Sequence, residues 1–415
     1  MKVLIVHDKE LGPVSPATAE GDAPVHCDES FLHAAGGLGL YVAHLEAGLR
    51  ERGVEVASLV FRERPEKTTA PGRHELPSFR YRSRPEIVRS ALRIVEEEGV
   101  DVVHLNSMPT LSPELVRRLD EACPVVWTFH DVTPFCFHET RLRRSGELCD
   151  RTLGWGCVAT GCHRLGSQGG VLGDLLRVAA TSRHLGLYRS LRRALVPSEF
   201  LAQLLVDHGV PRERVEVLPL FTRFPLSEET REVGAEAPGI LFVGRLTEGK
   251  GLLAFARALA RLTDRSWTAH VVGEGEARGA AERIVEQAGL RERVVFHGVL
   301  DGDALRERFR SCRLAVVPSL VPESFGLVGV EAMGFGVPVV AFDAGGVTEW
   351  LEHGRTGLLV ARGDEGELAG AIGRLLDDAQ LRAELGAAAR VSVAETFSAA
   401  RHMDRLLAIY GELPR

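Results

Sequence analysis

Residues 318–341 read Pro318-Ser-Leu-Val-Pro-Glu-Ser-Phe-Gly-Leu-Val-Gly-Val-Glu-Ala-Met-Gly-Phe-Gly-Val-Pro-Val-Val-Ala341. The stretch begins as a loop, because Pro318, Ser319, Pro322 and Ser324 are turn and capping residues. Ser324 is placed to cap a helix opening at Phe325. Gly336 and Pro338 end that helix, and Val339-Val-Ala341 follows as a buried strand. Two carboxylates sit eight positions apart, Glu323 in the loop and Glu331 inside the helix. A helix N-terminus offers amides without an intrahelical acceptor and the positive end of a dipole, and both suit a phosphate. Gly326 and Leu327 carry the amides at that place. A phosphate bound there puts Glu331 within reach of a ribose and Glu323 on the opposite side, where a sugar fits. The spacing therefore suits a nucleotide-sugar. Two carboxylates in ordinary salt bridges are the alternative reading of the same residues.

The run Pro322-Glu-Ser-Phe-Gly-Leu-Val-Gly-Val-Glu-Ala-Met333, with Glu323 and Glu331 in the spacing E-x7-E, resembles the signature of the family 4 retaining glycosyltransferases. Gly336-Val-Pro-Val-Val-Ala341, Gly345-Gly346 with Glu349, and Gly354 followed by Gly357-Leu-Leu-Val360 fit the same pattern. The resemblance implies an α/β protein of the GT-B type, two doubly wound Rossmann-like domains facing across a cleft. It covers nearly the whole chain, most strongly residues 240–360 and most weakly 8–34, 61–84 and 136–170.

The bulk numbers agree with a protein of that size. At 415 residues the chain exceeds one ordinary core, so two domains are expected. Hydrophobic residues make up 45% and charged residues 26%, the balance of a globular protein. A net charge of −7 argues against a nucleic-acid partner. No apolar run approaches the ~20 residues that span a bilayer. Met1-Lys-Val-Leu-Ile-Val-His-Asp8 reaches a charge after a few apolar residues, so it reads as a first strand and not as a leader. Seven cysteines, an odd and sparse set, point to a reducing cytoplasm.

Residues 1–225 are expected to form the first, acceptor-side domain. Val3–Val6 reads as a central parallel strand. A polar loop over about 8–34 follows, a candidate acceptor-side lid. Gly36-Gly37-Leu-Gly39 then precedes a helical pattern through Tyr41, Leu45 and Leu49. Glycines before a helix let backbone approach a phosphate, and by resemblance Gly37 contacts the donor phosphate. Strands and helices alternate from there: Val54–Val60, Pro85–Glu98, Val102–Leu105, Glu114–Cys123 and Val125–Phe129. Ligands of such sheets bind beyond the carboxyl ends of the strands. His130 sits at one of those ends, where the resemblance places a histidine that approaches the donor sugar. Ser198 caps a helix over Glu199–His208, and Val215–Pro219 is the last strand.

Cys136, Cys149, Cys157 and Cys162 fall close together, separated by 12, 7 and 4 residues, within the insertion over about 136–165. Four thiolates can close a tetrahedral structural zinc site, although these spacings belong to no common zinc finger. Unbonded thiols and disulfides are the other readings. Between 138 and 193 ten arginines stand against four acidic residues. A solvated face with internal ion pairs is one reading; an anionic acceptor or a peripheral membrane contact is the other.

The linker is expected over 226–238, opening a second domain over 226–395, with a helix over 396–415 that the resemblance returns to the first domain. Where relatives carry an Asn-Gly-Val-Asp turn, this chain has Leu220-Phe-Thr-Arg-Phe-Pro225, so no role is carried over there. In Ile240-Leu-Phe-Val-Gly-Arg-Leu-Thr-Glu-Gly-Lys-Gly251 a strand ends at Gly244, and Arg245 and Lys250 project from the loop before a helix over Leu252–Leu262. Two cations beside helix amides suit a diphosphate leaving group. Val299 ends the expected strand Val294–Val299, whose end is expected beside the nucleotide base. The resemblance thus implies a donor site of Arg245, Lys250, Gly326, Leu327, Glu331, Val299 and Gly37, with Glu323 and His130 towards the sugar. Protein cations take the role of a catalytic metal in this scheme, and no cofactor is needed. The expected reaction is retaining transfer of a hexosyl group from a nucleotide-sugar, a UDP-sugar first, to a small-molecule, glycan or lipid-linked acceptor. A non-hydrolysing sugar epimerase and a non-catalytic nucleotide-sugar-binding protein are the competing classes.

Overall fold

The computed structural model describes residues 1–7, 29–62, 71–77, 84–106, 111–136, 140–143, 145–160, 178–179, 182–224, 239–300 and 302–414. The chain divides into two compact units, Met1–Pro219 with Met403–Arg415, and Leu220–His402. Most of the expected lid, residues 8–28, lies outside the described residues, as does the expected linker 226–238.

In the first unit the strands are β1 (Lys2–His7), β2 (Glu55–Arg62), β3 (Arg73–Pro77), β4 (Val102–Asn106), β5 (Val125–Thr128), β6 (Arg193–Val196) and β7 (Val215–Val217). They form one parallel sheet in the order β3-β2-β1-β4-β5-β6-β7. The chain reverses direction across the sheet between β1 and β4. β1, β4 and β5 are buried along nearly all of their length, which is why their sequences are continuous apolar runs. Between them run α1 (Glu29–Glu51), α2 (Pro85–Glu98) and α3 (Pro113–Ala122). In α2, Pro85 supplies a preset first turn and Gly99, at φ 61°, the left-handed stop. Its buried face is Ile87, Val88, Ala91, Ile94 and Val95. α4 (Glu199–Asp207) is capped by Ser198, whose side chain accepts from the Leu201 amide.

In the second unit β8 (Gly239–Val243), β9 (Thr268–Val272), β10 (Val294–Gly298), β11 (Cys312–Val317), β12 (Val339–Phe342) and β13 (Gly357–Val360) form a parallel sheet in the order β10-β9-β8-β11-β12-β13. Helices α5 (Leu252–Ala260), α6 (Arg278–Gln287), α7 (Gly302–Ser311), α8 (Leu327–Gly334), α9 (Glu365–Asp377) and α10 (Ala379–Thr396) accompany it. Strand β8 leads to β9 and β10 on one side, and β11 to β12 and β13 on the other, so the switch point lies between β8 and β11. Finally α11 (Ala399–Glu412) closes the chain. Its residues from Met403 onward belong to the first unit, where the buried Tyr410 hydroxyl lies 2.6 Å from Nδ1 of the buried His104. Among the described residues no helix is long and apolar enough to cross a membrane.

Four features differ from the sequence reading. The glycines Gly36, Gly37 and Gly39 lie inside α1, which begins at Glu29, and not in a turn ahead of it. A glycine costs a helix interior only about 1 kcal/mol, so a long helix runs through them. Strand β3 is polar and half-buried at the sheet edge, and its residues carry no apolar run. The units meet at Pro219/Leu220 and His402/Met403, where 225/226 and 395/396 were expected. The reason is packing: Phe224 sits against Phe309 and Phe335, Phe221 against His402, and the Thr222 amide bonds Phe397 O, all within the second unit. Lastly α8 opens at Leu327 behind Gly326, not at Phe325 behind Ser324. The backbone of Glu323 explains the shift, because its amide donates to Ala344 O (3.1 Å) and its carbonyl accepts from Gly346 N (2.7 Å). Residue 323 is thereby held extended beside the segment after β12, and the helix turns in only at Gly326, at φ 90°.

Candidate functional site

The loop from β8 to α5 and the loop from β11 to α8 leave the two strands that flank the switch point. They are sewn together by backbone: Leu320 N and Val321 N both donate to Gly249 O, at 2.9 and 3.2 Å. Gly251 caps α5 at φ 75°, and a Cβ there would stand 1.7 Å from Pro318 O, so only glycine allows the approach. This contact sets Lys250 beside the second loop. Its ammonium donates to both oxygens of Glu323, at 2.7 and 2.9 Å, and Ser319 Oγ donates to Glu323 Oε1 as well. Burial works to raise the pKa of Glu323; Lys250, the Ser319 hydroxyl and Arg245 outweigh it and hold the carboxyl below its ordinary value. Arg245 itself is exposed.

Behind this pair α8 presents its first amides, Gly326 at the cap and Leu327 at the first helical position. Trp350 holds the turn in place. Its Nε1 donates to Phe325 O, and its ring covers Gly326 and Gly329 so closely that a Cβ on Gly329 would come within 2.1 Å of it. One helical turn past the cap lies Glu331, 2% exposed. Arg223 stands against it, Nε 2.7 Å from Oε1 and Nη2 3.3 Å from Oε2. Only the second contact is a hydrogen bond; Nε and Oε1 are both buried and have none. Burial pushes the Glu331 pKa upward, and Arg223 offsets this only in part. So the pKa values of the two carboxylates of the E-x7-E spacing are shifted in opposite directions.

On the β10 side of the same sheet end, Gly273 N donates to Gly298 O and Leu246 N to Glu274 O. Val299, half-buried, follows directly. The second unit thus places Arg245, Lys250 and Glu323 in the loops following β8 and β11, Gly326 and Leu327 at the opening of α8, Glu331 inside that helix, and Val299 just past β10. Ser319, Arg223 and Trp350 were not foreseen. Proximity of Ser319 to a carboxylate four residues on was the one signal in the sequence; the Arg223 and Trp350 contacts span 108 and 25 positions.

His130 and Gly37 belong to the first unit. His130 follows β5 and its Nε2 lies 3.2 Å from Oδ1 of Asn106, the last residue of β4. The Tyr41 ring meets it edge-on at 4.8 Å. It lies beyond the carboxyl end of β5, as expected. Cys136 and Cys149 form no disulfide, and among the described residues no three metal-ligating side chains gather into a metal site. Cys162 lies outside the described residues. Of the clustered arginines, Arg143 pairs with Asp150, Arg192 with Asp120 (3.0 Å) and Arg193 with Glu216 and Glu412 (both 3.4 Å), while Arg189 donates to His208 O. These contacts match the reading of a face with internal ion pairs.

A pair of doubly wound sheets, with cations and helix amides converging at the switch point of the second, defines a GT-B glycosyltransferase. Known proteins agree. Residues 35–222 match the family described as Glycosyltransferase Family 4, and 237–378 match Glycosyl transferases group 1. A D-inositol 3-phosphate glycosyltransferase of Acidothermus cellulolyticus is 31% identical over 394 residues, 85% of this chain and 80% of its own length. An uncharacterized glycosyltransferase of Methanocaldococcus jannaschii is 31% identical over 56% of this chain, a match that spans 63% of the relative. Among solved structures, sucrose-phosphate synthase from Thermosynechococcus elongatus superimposes with a TM-score of 0.70 at 21% identity, over 99% of this chain and 98% of that one. HepE of Anabaena in complex with UDP gives 0.66 at 20%, over the full length of both chains. The chain belongs to glycosyltransferase family 4.

Proposed function

We propose that the protein transfers a sugar from a UDP-sugar to an acceptor hydroxyl with retention of anomeric configuration. The observation that carries this reading is the cation set against each of the two buried carboxylates on either side of the α8 cap, Lys250 against Glu323 and Arg223 against Glu331. By resemblance, a ribose hydroxyl of the donor bonds the Glu331 carboxylate. An ammonium has three N–H groups; Lys250 commits two to Glu323 and keeps one for a phosphate oxygen. With exposed Arg245 and the Gly326 and Leu327 amides, it meets the charge that grows on the diphosphate as the bond to the anomeric carbon breaks. Preorganised donors of this kind provide the largest share of such catalysis. Val299 lies beside the base. Glu323 and, from the first unit, His130 and Gly37 face the sugar and its phosphate by resemblance. The acceptor oxygen bonds to the anomeric carbon on the face the diphosphate leaves, and the acceptor proton passes to the departing phosphate oxygen. No side chain is assigned as the base.

The choice of uridine rests on the UDP held by HepE. For the acceptor, a phosphorylated polyol of the kind in the name of the Acidothermus relative is the first to try. The experiment is a release assay with UDP-, GDP- and ADP-linked glucose, N-acetylglucosamine and galactose, each with and without polyol, glycan and lipid-linked acceptors. Acceptor-stimulated release of UDP supports the proposal. Interconversion of the donor sugar without net release would favour the epimerase class, and binding with no turnover would leave a non-catalytic module.

A further inference from the structure

Strands β4 and β5 lie side by side and parallel, with Asn106 opposite Thr128. Side chains two residues apart on a strand share a face, so His104 and Asn106 of β4 stand on the same face as Thr128 of β5. His130 follows two residues past Thr128. His104 Nε2 lies 2.7 Å from Thr128 Oγ1, and Asn106 Oδ1 lies 3.2 Å from His130 Nε2. Each contact joins a residue of β4 to the residue 24 positions on, so the two are successive rungs of one diagonal. The Tyr410 hydroxyl closes the far end of the row, 2.6 Å from His104 Nδ1. His104 and Asn106 have no exposed surface. A buried polar side chain costs free energy unless it is hydrogen-bonded, and the neighbouring positions of these strands are filled by Val103, Leu105, Val126 and Trp127. Packing alone therefore does not call for an asparagine at the end of β4.

Asn106 is oriented as well as buried. Its Nδ2 donates to His104 O at 3.4 Å. A carbonyl oxygen cannot donate, so the amide nitrogen must take that side and Oδ1 the side of His130. An amide oxygen only accepts, so Nε2 of His130 carries the proton of their bond. In a neutral imidazole this leaves Nδ1 as the acceptor. The Tyr41 ring of α1 meets the same imidazole edge-on at 4.8 Å and restrains its rotation. Asn106 is uncharged, so it fixes the place of the proton without favouring the imidazolium as a carboxylate would.

Resting on the reading of His130 as a residue that faces the donor sugar, we propose that Asn106 is a positioning residue for the transfer reaction: it pins the His130 ring and holds its proton on Nε2. Asn106 acts through His130 and touches no reacting atom. Its loss lets the ring turn and the proton move to Nδ1. The effect falls on turnover of the nucleotide-sugar and not on binding of UDP, which carries no sugar.

The test uses the full chain with 15N-labelled histidine. Long-range proton–nitrogen correlation at pH 8 reads which ring nitrogen of His130 is protonated, and His130→Gln identifies the signal. Wild type is expected to show Nε2 protonated and Nδ1 bare. Asn106→Leu should show both tautomers in exchange, a kcat about 10- to 100-fold lower, and UDP affinity within about 3-fold of wild type by titration calorimetry. Asn106→Asp keeps an acceptor at the same place and should restore the Nε2 proton and a kcat within about 10-fold of wild type. In a His130→Gln background, Asn106→Leu should change kcat less than about 3-fold. A merely structural asparagine would leave the tautomer unchanged and slow both backgrounds alike; that result overturns the inference while leaving the donor site intact. If Asn106→Leu does not fold, Asn106→Ser and Asn106→Asp make the same comparison. If His130→Gln turns over like wild type, or wild type turns over no nucleotide-sugar, the reading of His130 falls first and this inference with it.

Discussion

Replacing Lys250 by methionine removes a cation but keeps most of its bulk. In the native structure Lys250 gives two hydrogen bonds to Glu323, which is 8% exposed. Removing one partner of a fully buried ion pair costs about 3–5 kcal/mol. Lys250 keeps 29% of its side chain exposed, so water recovers part of this, and about 2–3 kcal/mol is expected. The loss depends on pH in a definite sense. Glu323 is an acid held below its ordinary pKa, so its share of stability is present above the ordinary carboxylate value and is lost as pH falls through the lower folded one. Without Lys250, the effect of burial prevails and the carboxyl takes a proton at higher pH. The gap between wild type and Lys250→Met, measured by urea unfolding at several pH values, should therefore narrow towards pH 4. Lys250→Met with Glu323→Gln should recover much of the stability, because no buried charge is left unpaired. Turnover should fall about 100- to 1,000-fold in either variant, the scale for losing one preorganised donor at a developing anion. A single variant as stable as wild type and turning over normally with saturating donor would refute the pairing and the phosphate assignment together.

Glu331→Ala should raise donor KM more than it lowers kcat, and Glu323→Ala should do the reverse; the opposite split exchanges their roles. Because the Glu331 pKa lies above the ordinary carboxylate value, donor KM should begin to rise on acidification while Glu323 is still charged, and Glu331→Gln should abolish that rise. Gly329→Ala drives a methyl into the Trp350 ring at 2.1 Å and should cost about 1–3 kcal/mol in chemical unfolding, whereas Gly279→Ala, on an exposed helical face with its nearest atom at 3.6 Å, should be neutral or mildly stabilising. Tyr410→Phe removes the hydrogen bond to His104 and should lower stability in urea unfolding by about 1 kcal/mol.

The strands were legible because parallel sheets bury both faces, and Val3–Val6, Val102–Leu105 and Val125–Phe129 therefore announce themselves as apolar runs. Helix α2 was legible to the residue, since Pro85 and Gly99 fix its ends by backbone geometry. What stayed hidden depends on contacts between distant residues. The opening of α8 moved because Glu323 pairs its backbone with Ala344 and Gly346, 21 and 23 positions away. The unit boundary moved because Phe221 and Phe224 are claimed by the second core, which local composition does not record. Of the charged residues near the α8 opening, Arg245, Lys250, Glu323 and Glu331 were singled out from spacing and resemblance, while Arg223 was passed over. Its partner is 108 residues on, and only the fold brings the two together.

The central claim is retaining transfer from a UDP-sugar, and proton NMR of the first-formed product tests it most directly. With an α-linked UDP-sugar and an acceptor that stimulates UDP release, the account predicts an α-configured product from the earliest time point, at a rate that Lys250→Met lowers at least 100-fold. A β-configured product, or UDP release that Lys250→Met leaves unchanged, would contradict it.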